Sequence, residues 1–201
     1  NTVDGDGCST LCLVEESWDC SSGTCVEVED LLSHWEFEND LSDSVGTNVG
    51  SGTVSYGSGV FGNAVVFDGT NEIDVGPIFN GDQNEFSVGG WVYVDDFNDG
   101  SLGVNKITPI ISTRTNYNNF NGGFRLGVFS FGGEKLAWDF GIGAMQDTDS
   151  DGVGDTPYRT FLKSGALLNS EFEEKYLNRW VHVMGVYNGN SKLMEIYVNG
   201  N

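Results

Sequence analysis

RWVHVMGVYNGNSKLMEIYVNG, residues 179–200, is built on a period of two. Val181, Val183 and Tyr187 share one face, and Trp180, His182 and Met184 share the other. Successive side chains of a strand point to opposite faces, so this alternation predicts a strand rather than a helix. A polar, glycine-containing turn follows, and Lys192–Val198 resumes strand character. Asn199-Gly200 then gives a strong hairpin-turn signal, because both residues tolerate the positive φ that a two-residue turn needs.

The same pattern extends back through the chain. SHWEF, NAVVF, FSVGGWVYV, TPIISTR, GFRLGVF and KLAWDF all read as short strands. In FSVGGWVYV, Phe86, Val88, Val92 and Val94 fall on one face. The 29 glycines and only 3 prolines suit many tight turns between such runs. One short helix is expected, where Ser170 and Glu173 could form a capping box before EEKYL. Many short strands with turn signals between them predict an all-β protein, an antiparallel β-sandwich.

Composition narrows the function. The 201 residues, 38% hydrophobic and 12% aromatic, can fill one sizeable core. Acids number 30 and bases 9, a net charge of −21. Such a surface repels a phosphate backbone, so nucleic acid is not an expected partner. It suits divalent cations or a salty exterior. No apolar run approaches the roughly 18 residues of a membrane span, so no membrane insertion is expected.

The cysteines Cys8, Cys12, Cys20 and Cys25 all fall in the first 25 residues. A glycine-rich segment this small and this poor in apolar residues points to disulfides and an oxidising compartment. Zinc is the rival reading, although the spacing differs from common zinc sites and no histidine lies nearby. A composition break at Val26–Asp30 divides the chain into a disulfide-rich segment, 1–28, and a sandwich domain, 29–201.

NTVDGDGCSTLCLVEESWDC resembles the second half of the Myxococcus-type Cys-rich repeat. The pairing expected on that resemblance is Cys8–Cys20 with Cys12–Cys25, among the three that four cysteines allow. From Leu31 onward the chain resembles laminin G-like, concanavalin A-like jelly-roll domains. The resemblance rests on LLSHWEFENDLSDSVG, GSGVFGNAVVFDGTNEIDVG, FSVGGWVYV and RWVHVMGVYNGNSKLMEIYVNG, in that order. It implies a jelly roll, a mostly non-catalytic role in binding carbohydrates or proteins, and in some members a structural calcium. It also implies further strands after Asn199-Gly200, so SHWEF and KLMEIYV are expected to want a neighbour.

DTDSDGVGD, residues 147–155, concentrates four aspartates in nine residues. Calcium takes several oxygens at once, and aspartates at alternate positions can converge on it while glycine permits the sharp turn. The segment resembles the calcium loop of thrombospondin type 3 repeats. That resemblance implies Asp147, Asp149, Asp151, the Val153 carbonyl and Asp155 as ligands. It is not an EF-hand, because Tyr158 stands where the bidentate glutamate belongs. The bland alternative is a solvated acidic turn. Asp43 and Asn48 match a family turn that contributes to a structural calcium, with Val45 in place of the usual serine; an ordinary Asx turn is the equal alternative.

Other motifs carry less. Gly57–Gly62 fits GxGxxG, yet a strand follows it instead of a helix, so a tight turn is the expected reading. Glu72-Ile73-Asp74 resembles the start of a jelly-roll glucanase motif, but its last glutamate is missing. His34 and His182 sit in strand patterns with no serine elbow, so no nucleophile–base pair can be named and an enzyme is not expected. TNYNNFNGG places Tyr117 and Phe120 in a polar loop suited to sugar rings, or is a plain hairpin loop. The expectation is a secreted or surface-anchored, calcium-containing binding or adhesion module for glycans or extracellular proteins. The alternatives are an ancillary carbohydrate-binding domain of a secreted glycoside hydrolase and a structural spacer of a large surface protein.

Overall fold

The computed structural model describes residues 18–19, 26–27, 31–79, 83–96, 107–113, 123–146 and 156–201. The chain divides into two compact units, Asn1–Asn80 and Gly81–Asn201. In the first, β1 (Trp18–Asp19) pairs antiparallel with β2 (Val26–Glu27), and β3 (Ser55–Ser58) pairs with β4 (Asn63–Val66). Gly59 and Gly62 close the β3–β4 hairpin through a 2.9 Å backbone bond. GxGxxG is therefore a hairpin turn, and a side chain at Gly62, where φ is 56°, would collide with the Glu38 carboxylate. An isolated bridge joins Ser51 to Asp74.

The expected SHWEF strand does not form. Among the described residues, 33–37 pair with no strand, and Phe37 has φ 60° and Asn39 φ 66°. A left-handed residue turns the chain out of the extended path that a ladder needs. Alternation is a statement about side chains and is blind to that backbone turn.

The second unit contains β5 (Glu85–Tyr93), β6 (Ile107–Ser112), β7 (Gly123–Phe131), β8 (Lys135–Gln146), β9 (Thr156–Lys163), β10 (Leu167–Leu168), helix α1 (Asn169–Tyr176), β11 (Trp180–Asn188) and β12 (Leu193–Val198). Two antiparallel sheets form. One has the order β10-β8-β7-β6, with β9 also on β8; the other has the order β12-β11-β5. Pro109 sits on the edge strand β6 at a register shift, where its missing N–H leaves no ladder partner unmet.

Cross-strand pairs Phe124↔Ile142, Leu126↔Phe140 and Val128↔Trp138 line one face of the larger sheet, and all six are buried. The smaller sheet answers with Val181 and Val183, buried, and with Phe86, whose ring lies 5.3 Å from Phe124 and 6.3 Å from Phe140. Gly185 is glycine for a packing reason: any side chain there would run into the Phe140 ring. Each such fully buried side chain contributes about 1.5–3 kcal/mol. The fold is an all-β antiparallel sandwich.

Helix α1 covers one end of the core, with Phe172 and Tyr176 each 5.5 Å from Trp138. The expected Ser170–Glu173 box is not its cap. The helix starts at Asn169, so Ser170 already lies inside the first turn. Glu171 Oε2 instead accepts the Leu168 N–H at 2.9 Å, and Leu168 has no side-chain oxygen with which to reciprocate. Beyond β12, Asn199 (φ 53°) and Gly200 (φ 79°) form the two-residue turn read from the sequence, with Val198 and Asn201 bonded across it. Among the described residues β12 pairs only with β11.

Candidate functional site

The face of the larger sheet that points away from the smaller one carries an unusual group. Arg125 on β7, Asp139 on β8 and Lys163 on β9 lie side by side, because Asp139 is in register with Lys163 and Arg125 is in register with Gly141, next along that face of β8. Arg125 Nε donates to Asp139 Oδ2 at 2.9 Å. Lys163 Nζ stands 2.9 Å from Oδ1 as an ion pair, though outside hydrogen-bond angles. Asp139 is fully buried and Arg125 nearly so, while the Lys163 side chain keeps 25% of its surface.

Aromatic rings wall this group. The Arg125 guanidinium lies 4.3 Å from the Phe161 ring centre, and Lys163 Nζ lies 4.5 Å from Phe129 and 5.3 Å from Phe161. Phe129 and Phe131 pack edge-to-face at 4.8 Å. Cations over ring faces are attracted by the ring quadrupole, more strongly when dry. Gly141 makes the arrangement possible, since a Cβ there would sit 2.6 Å from the Phe161 ring and 3.2 Å from Arg125 Nε.

The open face of the smaller sheet is aromatic. Trp91 and Tyr93 on β5 are 47% and 46% exposed. Their register partners are His182 and Trp180 on β11, and the rings meet edge-to-face at 5.3 and 5.5 Å. His182 is thus a ring support on this face. Neighbouring edge-to-face rings fix one another.

In the first unit Asp43 is the hub of a turn. Its Oδ1 accepts N–H groups from His34 (2.9 Å), Val45 (3.1 Å) and Gly46 (2.9 Å), and its Oδ2 accepts that of Asn48 (3.1 Å). Partial burial alone would raise the Asp43 carboxyl; the donors of His34, Gly46, Ser33 and Val45 outweigh it and hold the carboxyl far below the ordinary 3.8. Asn48 bonds Ser33 Oγ through Nδ2 (2.9 Å), and its carbonyl takes the Trp35 indole N–H (2.8 Å). Asp43 and Asn48 are thus brought together, with both Asp43 oxygens engaged by N–H groups. Among the described residues no three His, Cys, Asp or Glu side chains gather as a metal site would require.

Asp147, Asp149, Asp151, Val153 and Asp155 lie outside the described residues, as do Cys8, Cys12, Cys20, Cys25, Tyr117 and Phe120. The ends of the acidic segment are placed: Gln146 closes β8, Thr156 opens β9, and the two are register partners. Residues 147–155 therefore connect two paired strands. Glu72 and Asp74 are both exposed, and Asp74 Oδ1 accepts the Gly76 N–H at 2.8 Å.

Sequence reasoning missed Arg125, Asp139 and Lys163. One signal was present: Arg125 and Asp139 stand in two consecutive strand-like runs, GFRLGVF and KLAWDF, in a chain with only nine bases. The exposure of Trp91 and Tyr93 was legible as parity, opposite Val88 and Val92, though their use was not. No α-helix among the described residues is long and apolar enough to cross a membrane. No family model, curated protein or solved structure matches the chain.

Proposed function

We propose that the chain is a non-catalytic extracellular binding module, a laminin G-like jelly roll of concanavalin A-like type that contacts glycans or surface proteins and is stabilised by calcium. One observation carries the reading: two large rings, Trp91 and Tyr93, stand nearly half exposed on one face of a three-stranded sheet. Large exposed aromatics cost solvation and are typical anchors of binding surfaces. Their apolar faces suit the C–H face of a sugar ring, and the His182 ring beside Trp91 adds a polar partner.

Calcium enters through residues 147–155, which span two strand ends already held in register. Ends fixed in this way lower the entropy cost of gathering the aspartates around an ion. The cysteine cluster as disulfides and the acidic surface fit a secreted or cell-surface setting. A glycan array probed with the whole chain, with calcium and with chelator, tests the function. Binding to a defined glycan class, lowered about tenfold or more by Trp91→Ala or Tyr93→Ala, is the expected result. An array silent in both conditions, with the variants folded, would refute glycan binding.

A further inference from the structure

The charge group of the larger sheet is placed to react with itself. We propose that Lys163 and Asp139 condense to an intramolecular isopeptide bond, Nζ to Cγ, that joins β9 to β8. The inference is independent of any ligand.

Register makes the contact. Asp139 and Lys163 are direct partners across the β8–β9 ladder, so their side chains leave the sheet on the same face. Lys163 Nζ lies 2.9 Å from Asp139 Oδ1. Allowing for a C–O bond of about 1.2 Å, Cγ is at most about 4.1 Å from the amine. Groups held in this way react as if present at about 10⁵–10⁸ M once the reacting atoms come to about 3–3.5 Å.

The two carboxylate oxygens have different partners. Oδ1 faces Lys163, and Oδ2 accepts the Arg125 Nε–H at 2.9 Å. In the first step one ammonium proton passes from Nζ to Oδ1, which leaves an amine beside a carboxylic acid. The Nζ lone pair then forms the N–C bond at Cγ, and the carbonyl pair moves onto Oδ2. The negative charge that develops there lies against the guanidinium, as an oxyanion lies against its donors. A second proton passes from Nζ to the Oδ1 hydroxyl, the Cγ–Oδ1 bond breaks and water leaves. An amide remains, with Oδ2 as its carbonyl oxygen, still an acceptor for Arg125. Lysine and aspartate thus give an amide and one water, with no other reactant.

Burial sets the direction. In water an ammonium and a carboxylate are both well hydrated, which favours the separate ions. Here Asp139 is 0% exposed, and Lys163 Nζ lies 4.5 Å from the centre of the Phe129 ring, 5.3 Å from that of Phe161 and 5.9 Å from that of Phe131. Ions gain little hydration in such surroundings, whereas an amide carries no charge to bury. Condensation removes one positive and one negative charge, so the net charge of Arg125, Asp139 and Lys163 together does not change. The ladder continues from Asp139–Lys163 to Gln146–Thr156, so the link holds together the two strands that bracket residues 147–155. A covalent closure of this kind also restricts the unfolded chain.

The test is mass spectrometry of the whole chain, with its cysteines reduced and alkylated, before and after trypsin. The linked chain is lighter by one water, about 18 Da. Dehydration at an Asp-Gly pair gives the same mass, so the peptide map decides. Trypsin is expected to leave residues 136–159 and 160–175 joined as one branched peptide, uncut after Lys163. Lys163→Arg keeps the positive charge but cannot form this amide, and is expected to abolish the branched peptide. Asp139→Asn is expected to give the same branched product, with ammonia leaving in place of water. Arg125→Met, checked for retained secondary structure, is expected to slow its appearance about tenfold or more. A parent chain cut fully after Lys163, following prolonged incubation in the folded state at neutral and mildly alkaline pH, would overturn the proposal and leave the group an ordinary buried ion pair. A branched peptide that persists in Lys163→Arg would place the link elsewhere and overturn it equally. Linkage at the parent rate in Arg125→Met would overturn the role given to Arg125.

Discussion

Asp139→Ala is the sharpest perturbation of the second unit. It leaves the Arg125 guanidinium, whose side chain is 5% exposed, without a counter-charge among the described residues, whereas Lys163 at 25% can turn toward water. Removing one partner of a buried ion group costs about 3–5 kcal/mol, because the survivor remains buried and unpaired. The total stability of a domain is about 5–15 kcal/mol, so this is a large share. With a urea slope of about 2 kcal/mol/M, the midpoint should fall by about 2 M. The companion variant Arg125→Met/Asp139→Leu/Lys163→Met replaces the whole group by apolar side chains and should recover most of that loss, since buried ion groups are often no better than well-packed hydrophobes. Urea unfolding followed by tryptophan fluorescence reads both, with Trp138 buried in the same sheet as the reporter. A shift of less than about 0.5 kcal/mol for Asp139→Ala would refute the reasoning, since that is the size of an ordinary surface substitution.

Two further outcomes are expected. Asp43→Asn should destabilise the first unit by about 1–2 kcal/mol at neutral pH, the value of charge-assisted bonds allowing for partial exposure. Because the folded Asp43 carboxyl is held far below its ordinary 3.8, its contribution is complete above that value and disappears as pH falls through the folded one; the gap between parent and variant should therefore close only in acid. A variant gap that is constant from neutral pH down to the lowest accessible pH would count against the hub. Calcium at about a hundred times its dissociation constant should stabilise the chain by about 2.7 kcal/mol through residues 147–155, and Asp149→Ala should remove most of this. Identical melting in calcium and in chelator would end the calcium assignment.

How far the fold could be read in advance depended on what each strand carries. NAVVF, FSVGGWVYV, GFRLGVF and RWVHVMGVYN are short runs rich in β-branched and aromatic residues, and all four became strands within a residue or two of their expected ends. TPYRTFLK did not read as a strand, yet β9 spans it. Its one parity is Pro157, Arg159, Phe161, Lys163, and a run mixing proline, cations and one ring matches neither the polar nor the apolar template. SHWEF failed in the opposite sense, since its pattern was good and the left-handed Phe37 was invisible.

The charge cluster explains why a parity reading reaches the sheet face and stops there. Alternation assigns Arg125 and Asp139 to the side away from the core, and that is where they are. It then implies water around them, and there the inference breaks: Asp139 is 0% exposed. Parity says which way a side chain leaves the backbone, whereas burial depends on what stands beside it on the neighbouring strands. Here that is a cation from β7, a cation from β9 and the Phe161 ring lying across Gly141, four residues drawn from three strands. A register shift of one residue in β9 would move Lys163 and Phe161 to the opposite face and leave Asp139 with Arg125 alone. The site is thus a property of pairing register. The glycine that permits it, Gly141, is an ordinary strand glycine until the ring and guanidinium above it are known.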